Sequence, residues 1–366
     1  MTLVLAFIAL LFTLTFLLLR QPKFGKHPNG DRKARILRSP HYKNGQFQNI
    51  SPTPALTEGA SYTSVMREFF FSDKSNRSPR ELVPSIKTNL HVLDPAENLL
   101  VWFGHSSYFM QIDGKRILVD PVLSGHASPF SFSTKAFQGS DTYKPEDIPA
   151  IDFLFLTHDH WDHLDHATLL KLKPKISHII CSLGTGAHLE HWGFEKSILY
   201  EEDWDATLEL GKGFKVYTTP ARHFSGRGLK RNQVQWTSFV LQTPSLKIFI
   251  GGDSGYDAHF KDIGKEYGPF DLVILENGQY DRSWKYIHMM PEEVLMAAQD
   301  LDASRLLPVH SSKFSISNHD WDAPLKTITE LNKNYNIPLL TPMIGEPVYL
   351  DKDDQVFGRW WLQQEQ

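Results

Sequence analysis

Residues Thr157 to Asp165 combine side chains that bind metal ions, because three histidines and three aspartates lie within nine residues. They directly follow the apolar stretch 151–156 (IDFLFL), which predicts a buried strand. A strand followed by a tight turn can direct two histidines to one side and the remaining ligands to another. Imidazole and carboxylate groups suit Zn²⁺, and a divided ligand set suits two ions. The candidate ligands in this segment are His158, His160, Asp162 and His163.

Three further candidate ligands lie later in the chain, each at the end of a predicted strand. A single histidine or aspartate at the end of a strand is more often a structural residue than a metal ligand. Together with the first cluster they complete a set of seven, and this joint pattern disfavours a polar loop with chance histidines. The three residues are His223, Asp253 and His310.

The elements that must position these ligands begin near residue 99, where short strand patterns alternate with helical ones. Runs of strands punctuated by helices predict an α/β fold with two mixed sheets and helices outside. The predicted strands are 99–103, 107–112, 116–120, 151–156, 213–218, 236–242, 247–251, 271–275 and 305–309. The predicted helices are 62–71, 164–172, 184–191, 257–266, 291–300 and 322–333.

The order of these motifs resembles the metallo-β-lactamase superfamily. The resemblance extends from Leu99 to about Pro347 and includes T-H-D-H-W-D-H at 157–163, a later histidine, G-D-S-G at 252–255 and a last histidine. It implies an αββα metallo-β-lactamase sandwich with a dinuclear site at one edge and two Zn²⁺ per chain. In the implied assignment His158, His160 and His223 bind one ion, Asp162, His163 and His310 bind the other, and Asp253 bridges them.

Such a site implies hydrolysis by metal-bound hydroxide, with Asp162 and Asp253 as the catalytic carboxylates. Two ions about 3.5–4 Å apart can hold the nucleophile and neutralise the attacking and leaving oxygens. No serine or cysteine nucleophile is required, and Cys181 is predicted to be a buried core thiol. Asp120 is a candidate acceptor for the N–H of a ligand histidine, with turn capping before Pro121 as the alternative.

Other stretches resemble the branch of the superfamily that includes N-acyl-phosphatidylethanolamine-hydrolysing phospholipase D and the ascorbate-phosphate lactonases. The phospholipase D is the closer match, through ARHFSGRG at 221–228, KYIHMMPEE at 285–293 and PVHSSKFSISNHD at 308–320. This resemblance implies that Trp161 and His288 contact the phospholipid. Further candidates are Arg222, Arg227, Lys230 and Arg231 for the lipid phosphate, or a solvated basic loop, and Tyr280 and Trp284 for an acyl groove, or the core.

Residues 1–19 carry no charge and predict a membrane helix. A helix of this length rises about 28 Å, near the roughly 30 Å hydrocarbon core. Eight basic residues and one acidic residue follow between residues 20 and 43. This pattern favours a single-pass anchor with a cytoplasmic catalytic part and contact with anionic lipid. A cleaved signal peptide, with export, and a buried core helix are the alternatives.

The predicted organisation has four parts. They are an anchor at 1–19, a basic juxtamembrane segment and linker or strap at 20–98, a hydrolase domain at 99–350 and a C-terminal tail at 351–366. The formal net charge of -4 provides no basic field for nucleic acid, and one cysteine excludes an intramolecular disulfide.

The sequence therefore predicts a membrane-bound dinuclear zinc phosphodiesterase acting on N-acyl-phosphatidylethanolamine or a related phospholipid. The alternative is a metal-dependent lactonase or a phosphodiesterase for a small soluble substrate. The predicted partners are the phospholipid and the membrane, with no nucleic acid, and the sequence indicates no protein partner.

Overall fold

The computed structural model describes residues 2–362, with side chains from residue 4 onward. Met1 of the predicted anchor and residues 363–366 of the predicted tail lie outside the described residues. The helices are α1 (Thr2–Leu19), α2 (Gly30–Arg38), α3 (Tyr62–Phe71), α4 (His166–Leu172), α5 (Gly186–His191), α6 (His259–Tyr267), α7 (Pro291–Asp300) and α8 (Ala323–Leu331).

The strands are β1 (Tyr42–Lys43), β2 (Gln46–Phe47), β3 (Leu99–Trp102), β4 (Tyr108–Ile112), β5 (Lys115–Val119), β6 (Ile151–Leu156), β7 (Ile176–Ser182), β8 (Leu199–Glu202), β9 (Thr207–Gly211), β10 (Phe214–Thr219), β11 (Ser238–Gln242), β12 (Lys247–Ile250), β13 (Leu272–Glu276), β14 (Leu306–Val309) and β15 (Pro347–Tyr349). β1 and β2 form a separate hairpin.

Two mixed sheets form the body of the fold. Their strand orders are β15-β3-β4-β5-β6-β7-β8 and β14-β13-β12-β11-β10-β9. Strands β5 to β8 are parallel in the first sheet, and β12 to β14 are parallel in the second. The mixed α/β architecture predicted from the sequence is therefore confirmed.

The sheets pack face to face with helices on both outer faces, which gives four layers. Alternate residues of one strand serve different layers because successive side chains point to opposite faces. Phe155 of β6 packs between the sheets, with its ring 5.2 Å from that of Phe239. Its neighbour Leu154 packs instead with Leu169 of α4 on the outer face. This two-sided burial explains why β6 reads as a continuous apolar run.

The sequence patterns do not predict several of the observed elements. They are α2, the β1–β2 hairpin and the strands β7, β8, β9 and β15. β9 (TLELG) lies at a sheet edge and is only half-buried at alternate positions, so its apolar content is low. β7 carries Cys181, whose thiol is buried as predicted.

The predicted single-pass membrane anchor, and the orientation derived from it, are wrong. In the part of the chain that the structure describes, no helix combines the length and apolar character that crossing a bilayer requires. α1 is present as a helix of 18 residues, Thr2–Leu19.

The basic segment after α1 forms ion pairs with acidic residues of the protein itself. Arg32 hydrogen-bonds both carboxylate oxygens of Glu190, at 2.9 and 3.0 Å, and approaches Glu201 to 2.7 Å. Arg35 pairs with Glu202 at 3.0 Å. Lys23 donates to the carbonyl of Pro129 at 2.6 Å. Segment 23–35 is therefore attached to the face that carries α5 and β8.

Candidate metal centre

The candidate site lies where strands of both sheets reach their carboxyl ends. The turn after β6 carries the T-H-D-H-W-D-H motif, and α4 follows it, capped by the side chain of Asp165. Loops after β3, β10, β12 and β14 converge on this turn. They carry His105, His223, Asp253 and His310 respectively.

One group of four side chains forms around the first two histidines of the motif. Nε2 of His158 lies 2.9 Å from Nδ1 of His160, which in turn lies 3.2 Å from Nε2 of His223. Oδ2 of Asp253 lies 3.8 Å from Nε2 of both His158 and His223. Each residue offers a ligand atom within 4.8 Å of the others.

A second group forms around Asp162. Its Oδ2 lies 2.9 Å from Nε2 of His105, 3.6 Å from Nε2 of His163 and 4.0 Å from Nε2 of His310. These four residues likewise offer ligand atoms within 4.8 Å of one another.

Asp253 lies between the two groups. Besides its contacts with the first group, Oδ2 lies 3.2 Å from Nε2 of His163, and Oδ1 lies 3.2 Å from Nδ1 of His310. The structure thus brings all seven candidate ligands together, with Asp253 where a bridging carboxylate would lie. Their roles as ligands stay a prediction.

The chemistry of these residues fits divalent metal ions. Nε2 of His160 and Nε2 of His163 are buried without a hydrogen-bond partner. Burial lowers the pKa of His160 to about 4 and that of His223 well below its usual range, so both imidazoles are neutral. Burial opposes ionisation of Asp162, but His163 and His105 together hold its pKa well below the usual value. Neutral imidazole and ionised carboxylate are the forms that metal ions require. Burial opposes protonation of His163, but Asp253 and Asp162 hold its pKa well above the usual value, so this ring must release a proton when it binds a metal ion.

Surrounding groups fix the orientation of the histidine rings. Nδ1 of His163 lies 2.8 Å from Oδ2 of Asp120, the contact that the sequence suggested for this aspartate. Nδ1 of His223 donates to the carbonyl of Ile287 at 2.8 Å. Carboxylate and carbonyl partners of this kind set the tautomer and leave the other nitrogen for a metal.

Glu276 is a functional candidate that the sequence reading missed. It ends the buried strand β13, is fully buried, and its Oε2 lies 2.5 Å from Nδ1 of His288. Its Oε1 accepts from the backbone N–H groups of Ser254 and Met289 at 3.0 and 3.1 Å. Burial raises the pKa of Glu276 well above its usual value. An acidic residue ending an apolar strand was the available sequence signal.

His105 is a second residue without a predicted role. It is buried, has a positive φ of 55° and approaches Asp162 closely. Its backbone pairs with the loop after β14, because its N–H donates to Ser311 and its carbonyl accepts from His310, both at 2.9 Å. Positive φ in a non-glycine residue is uncommon and concentrates at functional sites.

A cavity of about 290 Å³ opens onto the two groups. Carboxylate and imidazole groups line it together with apolar side chains, one guanidinium and the polar side chains of Tyr62 and Gln279. His288 lines it, as do Trp284 and Arg231 among the sequence candidates. The apolar wall residues include Ala55, Phe224, Ile287 and Ile316.

The other substrate candidates do not line this cavity. The Trp161 ring packs edge-on against Phe24 at 5.1 Å and under the guanidinium of Arg227 at 3.9 Å. Arg227 is buried and donates to backbone carbonyls, including that of Leu164 at 2.7 Å. These contacts fix the motif turn to the N-terminal segment.

Arg222 and Tyr280 are likewise engaged elsewhere. The guanidinium of Arg222 donates to Thr53 and to the carbonyls of Pro52 and Tyr256 at 2.7–3.2 Å. Tyr280 is buried and stacks on His319. Of the four basic residues that the sequence offered for a substrate anion, Arg231 is the one that lines the cavity.

Known proteins are similar to this chain in sequence and in fold. A family model described as Beta-lactamase superfamily domain matches residues 115–311. An uncharacterized protein of Mycobacterium tuberculosis is 33% identical over 314 residues, covering 85% of this chain and 84% of that protein. N-acyl-phosphatidylethanolamine-hydrolyzing phospholipase D 1 of Caenorhabditis elegans is 26% identical over 315 residues, covering 79% and 84%.

A solved structure gives the same result for the fold. Igni18, a metallo hydrolase from the archaeon Ignicoccus hospitalis, has a TM-score of 0.53 and 21% identity, covering 69% of this chain and 98% of that one. Two mixed sheets with histidine and aspartate groups at their shared edge define a metal-dependent hydrolase. This chain belongs to the metallo-β-lactamase superfamily, which confirms the resemblance seen in its motifs.

Proposed function

We propose that this hydrolase is a dinuclear zinc phosphodiesterase that cleaves N-acyl-phosphatidylethanolamine or a related phospholipid at the bond between phosphorus and the headgroup oxygen. The observation that carries the proposal is the composition of the site cavity. Apolar side chains, a guanidinium and His288 line one cavity of about 290 Å³ together with members of both ligand groups, namely His160, Asp162, Asp253 and His310. The similarity to the Caenorhabditis elegans phospholipase supports the same substrate class.

Zinc suits the ligand set, which offers imidazole and carboxylate groups with no thiolate among the seven residues. Two bound divalent cations would supply Lewis acidity and an activated water for attack on phosphorus. Residues of the protein itself position the substrate. Glu276 holds Nδ1 of His288, which leaves Nε2 of that ring for a substrate oxygen.

The wall of the cavity matches an anionic headgroup next to an acyl chain. Arg231 lies with its guanidinium over the Phe224 ring at 4.3 Å, so its charge is held beside the apolar surface. Arginine binds phosphate oxygens through its planar donors. Trp284 and Ile316 provide apolar surface on the same cavity. An anionic phosphodiester with an attached apolar chain satisfies both features.

The size of the cavity favours a second candidate function. At about 290 Å³ it is smaller than a diacyl phospholipid, whose chains would have to extend beyond it. A small phosphodiester or a lactone would fit within it entirely. The second candidate is therefore hydrolysis of a small soluble substrate.

A substrate panel with a charge-removal variant separates these functions. Zinc-loaded protein is assayed with N-acyl-phosphatidylethanolamine in mixed micelles, bis(4-nitrophenyl) phosphate and a sugar lactone. The lipid should be the best substrate. Arg231→Gln should lower kcat/KM for the lipid roughly 10-fold, about 1.4 kcal/mol, and leave a neutral lactone unaffected.

The matched control is Lys230→Gln, because the neighbouring lysine is exposed and does not line the site cavity. This variant should behave as the wild type. Efficient lactone hydrolysis without cleavage of either phosphodiester would contradict the proposed function and favour the second candidate.

A further inference from the structure

Asn49, in the segment between β2 and α3, contacts both polar backbone groups of a candidate metal ligand. Its Nδ2 donates to the carbonyl of His223 at 2.8 Å, and its Oδ1 accepts from the N–H of the same residue at 3.0 Å. Oδ1 also accepts from the indole N–H of Trp236 at 2.9 Å. Both groups that face Oδ1 are donors, so the orientation of the amide is fixed by its partners.

His223 needs such a partner because it lies outside regular structure. It follows the end of β10, in the long connection to β11, where sheet hydrogen bonds cannot satisfy its backbone. A buried backbone N–H or carbonyl group without a hydrogen-bond partner lowers the free energy of unfolding. The residue is buried, and Asn49 supplies both a donor and an acceptor from a distant part of the chain.

The side chain of His223 is held at the same time from the other side. Its Nδ1 donates to the carbonyl of Ile287, which leaves Nε2 facing His160 at 3.2 Å. The direction of Nε2 therefore depends on two contacts, one on the ring and one on the backbone. The neighbours of His223 have backbone contacts of their own, from the N–H of Arg222 to Oγ of Ser254 at 2.9 Å and from the N–H of Ser225 to Oδ1 of Asn232 at 3.1 Å, so Asn49 supplies the contacts of the His223 backbone itself.

Asn49 is itself well anchored. Phe47, two residues earlier, is fully buried in a small core with Trp204 and Trp236. The N–H of Phe47 donates to the carbonyl of Asn232 at 2.9 Å. Loss of the Asn49 amide would therefore leave the segment attached to the protein while removing the two hydrogen bonds to the N–H and carbonyl of His223.

We propose that Asn49 is a positioning residue of the metal centre, which holds His223 so that its Nε2 can bind a metal ion. The segment between β2 and α3, which carries Asn49, then contributes to the structure of the metal centre. Partners that orient a metal ligand typically contribute 10- to 100-fold to metal affinity or activity. The inference does not depend on which substrate the enzyme hydrolyses.

The test is metal binding by the metal-free, full-length protein. Wild type, Asn49→Ala and Asn49→Asp are titrated with Zn²⁺ in competition with a chromophoric chelator, and with Co²⁺ while the visible spectrum is recorded. Asn49→Ala should weaken the binding of one ion roughly 10- to 100-fold and alter the Co²⁺ spectrum. Asn49→Asp keeps the acceptor but loses the donor, so an intermediate loss is expected.

The control is Gln48→Ala, because among the described residues the amide of Gln48 bonds only the carbonyl of Lys43, at 3.3 Å in an exposed position. Circular dichroism of each metal-free variant reports folding, and Asn49→Asp takes the place of the alanine variant if the latter does not fold. A folded Asn49 variant with wild-type affinity for both ions and a wild-type Co²⁺ spectrum would overturn the inference.

Discussion

Nδ1 of His288 lies 2.5 Å from Oε2 of Glu276, at the end of a strand whose other residues are apolar and buried. The pair faces the candidate metal centre, since the His288 ring lies 5.0 Å from that of His223 and 5.3 Å from that of His310. His288 nevertheless belongs to the cavity wall. His288 and Glu276 also offer ligand atoms within 4.8 Å of Asp253 and His310, so metal analysis must distinguish a substrate contact from a metal ligand.

Removal of His288 should separate substrate binding from metal binding. His288→Ala is expected to keep both metal ions and to lower kcat/KM roughly 10- to 100-fold, about 1.4–2.8 kcal/mol of transition-state stabilisation. Glu276→Gln should act in the same direction, and the double variant should lose little more than either single one. Steady-state kinetics with metal analysis provides the check, and His310→Ala, which should lose metal, is the comparison. Unchanged kinetics in His288→Ala would refute the substrate role.

Loss of Asp253 should affect both ions, because this carboxylate contacts histidines of both groups. Asp253→Ala is expected to bind at most one ion tightly and to lose nearly all hydrolysis. Burial raises the pKa of Asp253 to about 6, so metal affinity should also fall as the pH is lowered towards that value. Mass spectrometry under native conditions counts the ions. Two tightly bound ions in Asp253→Ala would exclude the bridge.

The attachment of the N-terminal segment should contribute to stability mainly through Arg32. The Arg32 and Glu201 side chains are only 12% and 4% exposed, whereas Arg35 and Glu202 are 41% and 37% exposed. Arg32→Met should lower the free energy of unfolding by about 3 kcal/mol, because Glu201 stays buried without its partner. Arg35→Met should cost less than about 1 kcal/mol. Urea unfolding measures both, and equal effects would contradict this difference.

Lys313 should make stability depend on pH in the alkaline range. Burial lowers its pKa from 10.5 to about 8, while its Nζ donates to the carbonyls of Phe103 and Val122. Between these two pH values the unfolded chain binds more protons, so the folded protein gains stability as the pH rises. Relative to Lys313→Met, the wild type should gain up to about 3 kcal/mol between pH 8 and 10.5. A difference independent of pH would show that Lys313 keeps its ordinary pKa in the folded protein, and would contradict this prediction.

The clustering of the candidate ligands was accessible from sequence because most of the set is local. Four of the seven residues lie within one turn after an apolar strand, and the other three lie within about four residues after strands of their own. Strand ends converge at one edge of a mixed sheet sandwich. The local sequence pattern and the fold class together were therefore sufficient to predict that His158 and Asp253 lie close to each other.

Long-range partners were not accessible in the same way. The position of Asn49 in the sequence does not indicate which backbone groups its amide contacts. The position of Glu276 likewise does not indicate which side chain its carboxylate contacts. Arg222 and Arg231 lie in the same basic loop, and only the fold shows that the former bonds the carbonyl of Pro52 while the latter reaches the cavity.

The N-terminal prediction failed for a related reason. Composition alone suggested a membrane span followed by lipid-binding bases, but it gave no information on where those bases would lie. Arg32 and Arg35 find acidic partners on the folded domain, and such specific pairs depend on tertiary structure.

The position of bond cleavage provides the most direct test of the proposed reaction. Zinc-loaded protein is incubated with N-acyl-phosphatidylethanolamine in water enriched in ¹⁸O, and the products are identified by mass spectrometry. Attack of water on phosphorus predicts phosphatidic acid with one ¹⁸O and an unlabelled N-acylethanolamine, both absent with Asp253→Ala. Label in the N-acylethanolamine, release of a free fatty acid, or no turnover of the lipid by metal-loaded protein would contradict a phosphodiesterase of this type.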